Sequence, residues 1–118
     1  MKGDNSLNIQ IFGKSKCFDT KKAERYFKER GVKYQFIDVA TYGMSKGEYT
    51  NVKQAVGGFL PLIDEKSKEY ENCFMKFISD EDKEEKLLEH PKLFKTPIVR
   101  NGKKATIGYQ PDVWKQWE

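Results

Sequence analysis

Apolar and polar positions alternate through Asn8-Ile9-Gln10-Ile11-Phe12, which predicts a half-buried strand ended by Gly13. Between Phe18 and Arg30 the period lengthens. Phe18, Ala23, Tyr26 and Phe27 recur at a spacing that fits a helix lying on a sheet, with Gly31 closing its C-terminus. The stretch Lys33-Tyr34-Gln35-Phe36-Ile37-Asp38-Val39 then predicts a second strand. Strand, helix and strand in so short a span make a βαβ unit, which favours a parallel pair with a right-handed crossover.

The middle of the chain is more helical. Ser45 followed by Glu48 forms a capping box that opens a helix through about Val56, and Gly57-Gly58 breaks it. Phe59 to Phe77 reads as one or two short helices or irregular turns. Ser79 with Asp82 starts a further helix that ends near Glu89, with Pro91 beyond. The last third returns to strands. Pro97-Ile98-Val99-Arg100 and Lys104-Ala105-Thr106-Ile107 flank Asn101-Gly102, the preferred type I′ pair, and so predict a hairpin. Gly108-Tyr109 and Pro111 lead into a closing helix that packs through Val113, Trp114 and Trp117. The order β-α-β, helices, β-β-α is that of a thioredoxin-like α/β domain. It implies a mixed four-stranded sheet, a helical insertion over about residues 44–90, and one domain across 1–118.

Composition narrows the class. A length of 118 residues suits one domain, and a 14% aromatic share supplies enough burial area to argue against disorder. No apolar run approaches the roughly 18 residues of a membrane span. The polar start Met1-Lys2-Gly3-Asp4-Asn5, with no signal-peptide core behind it, predicts a cytoplasmic protein. Two cysteines and one histidine are too few for a disulfide scaffold or a structural zinc site, so neither a metal nor a bound cofactor is expected. The net charge is +4, but the bases interleave with acids, as in Asp80-Glu81-Asp82-Lys83-Glu84-Glu85-Lys86. Such runs form solvated helix faces, and direct nucleic-acid binding is not expected.

Charge matters more around one residue. Cys17 follows the first predicted strand at the mouth of the first helix. A thiol there faces unpaired helix N–H groups and the positive end of the helix dipole. Lys14, Lys16, Lys21 and Lys22 add positive charge, and all of these effects favour the thiolate, the form that attacks and exchanges disulfides. Thr20 stands where a C-x-x-C motif would carry its second cysteine, so the site is monothiol. Its hydroxyl either donates to the thiolate or supports the first helical turn. Cys73 has two readings as well: a resolving cysteine for Cys17, or a half-buried residue among Phe74, Met75 and Phe77. His90, before Pro91, reads as a helix-end residue that interacts with the dipole.

The sequence resembles the ArsC/Spx family, arsenate reductase-related proteins with a thioredoxin fold, over nearly the whole chain. The likeness rests on Ile9-Gln10-Ile11-Phe12-Gly13 with Cys17 beyond it, and on Thr20-Lys21-Lys22-Ala23. It rests also on Glu89-His90-Pro91 leading to Lys95-Thr96-Pro97-Ile98-Val99, and on Ile107-Gly108-Tyr109. In such folds a cis proline at Pro97 presents the backbone of Thr96 to the substrate beside the cysteine. Arsenate reductases of this type attack arsenate with one cysteine, cradled by arginines, and then accept glutathione and glutaredoxin. Cys17 matches that nucleophile.

The arginines do not carry over. Thr96 stands at one family position, with Lys95 adjacent, and about Gly108 at the other; Arg100 is no direct match and remains only a candidate anion contact. Lysine does not replace the planar, bidentate guanidinium. Thr96 before the proline is instead similar to thioredoxins and glutaredoxins, where backbone contacts hold a disulfide or glutathione. Spx-like members bind RNA polymerase and often carry C-x-x-C, which this chain lacks. The resemblance therefore implies a monothiol oxidoreductase that acts on a small-molecule or protein disulfide. Its electron donor would be glutathione or a partner thiol protein such as glutaredoxin or thioredoxin. Arsenate reductase proper and a non-catalytic regulator on RNA polymerase are the alternatives.

Overall fold

A computed structural model describes residues 7–118, and the polar start from Met1 to Asn5 lies outside them. The chain runs β1 (Ile9–Gly13), α1 (Phe18–Glu29), β2 (Tyr34–Asp38), α2 (Val39–Tyr42) and α3 (Lys46–Val56). It continues through α4 (Lys68–Asn72) and α5 (Asp80–Glu89) to β3 (Ile98–Asn101), β4 (Lys104–Ile107) and α6 (Pro111–Trp117). Short 3₁₀ turns at Leu60–Leu62, Met75–Phe77 and Pro91–Leu93 link the middle helices.

The four strands form one sheet in the order β2-β1-β3-β4. β1 and β2 are parallel, with Phe12 opposite Ile37, whereas β3 runs antiparallel to both β1 and β4. This is the mixed sheet of a thioredoxin-like fold. Both faces of the sheet are covered, and side-chain alternation along β1 decides what goes where. Ile9 and Ile11 meet Val99, Ala23, Tyr26, Phe27 and Trp114 on the side of α1 and α6. Phe12 and Ile98 face the other way, onto Val39, Tyr49, Val52, Leu87 and Phe94 from the helical middle. Among the described residues, no helix is long and apolar enough to cross a membrane.

Local rules account for most boundaries. The capping box at Ser45 is complete: its side chain accepts from the Glu48 N–H, and the Glu48 carboxylate accepts from the Ser45 N–H. Ser79 accepts from the Asp82 N–H and starts α5 in the same way. Two boundaries differ from the sequence expectation. The second strand stops at Asp38 instead of continuing to Val39, because α2 turns there and buries Val39 completely in the helical-side core. The hairpin turn is Gly102-Lys103 rather than Asn101-Gly102. Asn101 stays in the ladder opposite Lys104, and its side-chain oxygen accepts from the Asn8 N–H at 3.1 Å. Only Gly102 takes a positive φ (60°), so the turn belongs to the II′ class, with glycine at its first central position.

Candidate functional site

β1 ends at Gly13, and a tight turn closes when the Cys17 N–H donates to the Lys14 carbonyl at 3.1 Å. Cys17 is thereby the N-cap of α1, with extended backbone, and its own carbonyl accepts from the Lys21 N–H at 3.2 Å. Since Phe12 lies opposite Ile98 in the antiparallel pair, the residues before β3 run past the end of β1 toward the cysteine. Thr96 and Pro97 lie there, joined by a cis peptide bond. The half-buried Cys17 thiol lies 3.6 Å from the Thr96 carbonyl, which can accept its proton. Pro97 in turn accepts from the Gly108 N–H at 2.8 Å, which ties the turn after β4 to the same corner.

Burial pushes the Cys17 thiol up, but hydrogen bonds outweigh it and leave the thiol below its ordinary value. The donors are the Thr20 and Thr96 hydroxyls and the backbone N–H groups of Thr20 and Asp19. Thr20 is almost completely buried, and its hydroxyl also accepts from the Lys14 N–H at 3.4 Å. It therefore supports the turn and lies among the groups that favour the thiolate.

Gly13 makes that arrangement possible. A Cβ on Gly13 would collide with the Thr20 methyl carbon and stand 3.1 Å from the Phe36 ring. Gly13→Ala should therefore push Thr20 away from its place and cost about 1–3 kcal/mol by overpacking, read as a lower midpoint in urea unfolding. An unchanged midpoint would show that the turn absorbs the methyl group.

The lysines play smaller parts than their number suggests. Lys14 is partly desolvated, which lowers its pKa, while Asp64 and Cys17 pull the other way, and its ammonium donates to the Lys92 carbonyl at 2.8 Å. Lys16 is exposed. Lys22 is directed toward Asp19 at 4.0 Å and over the Tyr109 ring. Lys14, Lys16, Lys68 and Lys92, with Asp38 and Glu69, line an open depression beside the Cys17 turn. Lys95 is exposed, and its backbone N–H donates to the Leu62 carbonyl at 2.7 Å.

Arg100 is corrected as an anion contact. It pairs with Gln10, toward the end of β1 away from Cys17, and its guanidinium is held by Gln10, by Asn51 at 2.8 Å and by the Gly102 carbonyl at 3.0 Å. The planar group serves to pin α3 to the sheet.

Cys73 caps the C-terminus of α4, half-buried, 3.8 Å from the Glu69 carboxylate. Desolvation and the negative charge of Glu69 push its thiol up, opposite to Cys17. Of its expected apolar neighbours only Met75 is buried; Phe74 and Phe77 are largely exposed. His90 ends α5 as expected, but its Nδ1 faces Glu69 at 3.4 Å across the helical middle. No motif in the sequence singles out Glu69; its signal is the helical spacing to Cys73.

Three comparisons bear on this geometry. The chain is 28% identical over 130 aligned positions to the global transcriptional regulator Spx 2 of Oceanobacillus iheyensis, covering 95% of this chain and 94% of that protein. Its structure is similar to an arsenate reductase from Vibrio cholerae, with a TM-score of 0.81 and 22% identity over 97% of this chain and all of the other. It is also similar to a Staphylococcus aureus protein solved in solution, with a TM-score of 0.72 and 26% identity over 92% of this chain and 96% of that one. The ArsC family model matches residues 12–117, from the end of β1 through α6 and across the Cys17 corner, and the chain belongs to the ArsC family.

Proposed function

We propose that the protein is a monothiol oxidoreductase in which Cys17 is the nucleophile. The observation that carries this reading is the Cys17 sulfur at the N-cap of α1, where the Thr20 and Thr96 hydroxyls and the first-turn N–H groups favour its thiolate. The Cys17 thiolate attacks one sulfur of a glutathione mixed disulfide, forming Cys17–S–S–glutathione and releasing the substrate thiolate, which takes up a proton. A second glutathione thiolate attacks that bond, regenerates the Cys17 thiolate and leaves as oxidised glutathione. A glutaredoxin or thioredoxin can replace the second glutathione. A cytoplasmic setting, where glutathione keeps thiols reduced, suits such a cycle. Arsenate as substrate is disfavoured, since Arg100 is held elsewhere and Thr96 occupies the position before the proline.

Alkylation by iodoacetamide across pH tests the reading. Only the thiolate reacts, so the rate rises with pH through the Cys17 pKa and levels off above it. The midpoint should fall below about 8.5, the value of a free cysteine; a midpoint at or above it removes the proposal. Thr20→Val deletes a hydroxyl that favours the charged form, so the midpoint should move up and the neutral-pH rate should drop, while Thr20→Ser restores both.

The likeness to a transcriptional regulator supports a second reading, a non-catalytic protein that docks on RNA polymerase. Purified polymerase should then bind wild type and Cys17→Ser equally. Failure to bind either would remove that reading and leave the first untouched.

A further inference from the structure

We infer that Glu69, Cys73 and His90 form a binding site for a divalent ion of borderline softness, of which Zn²⁺ is the fitting example. The three side chains come from two places in the helical middle. Glu69 lies in α4, and Cys73, four positions on at its C-cap, projects from the same helical face. His90 ends α5, where Pro91 begins the next 3₁₀ turn. Their donor atoms, one each of oxygen, sulfur and nitrogen, all lie within 4.8 Å of one another.

The spacing suits one ion. Zinc ligands stand about 2.0–2.3 Å from the metal, so at tetrahedral angles they are about 3.3–3.6 Å apart. Glu69 to His90 is 3.4 Å, and Glu69 to Cys73 is 3.8 Å. Cys73 and His90 lie within 4.8 Å of each other. The donor set also selects the metal class: thiolate and imidazole suit zinc and its neighbours, whereas magnesium and calcium require oxygen ligands. Three protein ligands leave a fourth position for water. The cluster brings together three side chains, one short of the four that close a structural zinc site. Solvent can reach the cluster, because the His90 and Glu69 side chains are 41% and 23% exposed. The nearby Lys86 opposes a cation, but its ammonium lies 3.9 Å from the Glu89 carboxylate, whose charge offsets it.

The competing account is a histidine–carboxylate pair with a chance cysteine beside it. A partly exposed pair of that kind holds its geometry weakly, and it makes no use of the sulfur. Metal titration separates the two. The metal-free, reduced, full-length protein is titrated with Zn²⁺ against a chromophoric chelator, and separately with Co²⁺, whose thiolate charge-transfer band reports a sulfur ligand. One equivalent should bind, with that band present. Cys73→Ser should abolish the band, and His90→Ala should weaken binding by at least about tenfold, the smallest loss typical even of residues that only support a ligand. Cys17→Ser serves as the control and should change neither, although Glu69 and the Cys17 turn line the same depression. Circular dichroism of each metal-free variant verifies its fold; if Cys73→Ser does not fold, Glu69→Gln, which keeps the size and shape of the side chain, carries the affinity test. Absence of binding, affinity that survives loss of His90 or Glu69, or a cobalt band that follows Cys17 instead of Cys73 would each overturn the inference.

Discussion

Cys17→Ser should reduce turnover of a glutathione mixed disulfide to the uncatalysed rate, a loss of roughly a thousandfold or more, as for other lost covalent nucleophiles. A serine hydroxyl at this corner receives the same donors from Thr20, Thr96 and the first turn of α1, yet these cannot bring an alcohol into ionisation near neutral pH. The fold should not suffer. Serine is among the preferred N-cap residues, and its oxygen accepts from the first-turn N–H groups more readily than a neutral thiol does. Thermal unfolding of the variant should therefore match wild type or exceed it slightly. The combination is diagnostic: activity is lost while stability holds, which a structural cysteine would not produce. Turnover at the wild-type level in this variant would mean that the exchange does not run through Cys17.

Much of the scaffold around Cys17 is legible because its causes are local. The alternation in Ile9-Gln10-Ile11-Phe12 shows β1, and the pairs Ser45–Glu48 and Ser79–Asp82 mark two helix starts that the hydrogen bonds reproduce. What the sequence conceals is set by distant partners. Nothing near Asn101 indicates that its side chain receives the Asn8 N–H and so moves the turn forward by one residue. Arg100 looks available until the β1–β3 register places it against Gln10 and Asn51. The lysines around Cys17 are visible as charge, whereas the hydrogen bonds that outweigh burial include one group from Thr96, seventy-nine positions away. Short helices fail for another reason. α2 and α4 are too brief to show a hydrophobic period, so their turns are fixed by packing, and Glu69 was hidden with them.

Trp114→Ala should be the most destabilising of the substitutions considered, at about 3–5 kcal/mol. Trp114 is completely buried between the sheet and α1. Its ring meets Tyr26 and Phe27, each at 5.2 Å between centroids, and Tyr109 at 5.6 Å. Its indole N–H donates to the Thr106 hydroxyl at 2.8 Å, which fastens α6 to β4. Alanine opens a cavity that aromatic neighbours cannot fill without leaving their own contacts, and it orphans the Thr106 oxygen. Domains of this size have about 5–15 kcal/mol in total, so the loss takes a large fraction of the margin and should lower the melting temperature by roughly 10–25 °C. Trp114→Phe keeps a ring and should lose less than half as much. At temperatures where the alanine variant remains folded, Cys17 should alkylate with an unshifted midpoint. Its donors come from the first turn of α1 and from Thr96, whereas the Trp114 ring meets α1 at Tyr26 and Phe27, in the second half of the helix. A melting temperature close to wild type would show that the closing helix packs loosely on the sheet; a shifted Cys17 midpoint would show that α1 transmits that packing to its N-cap.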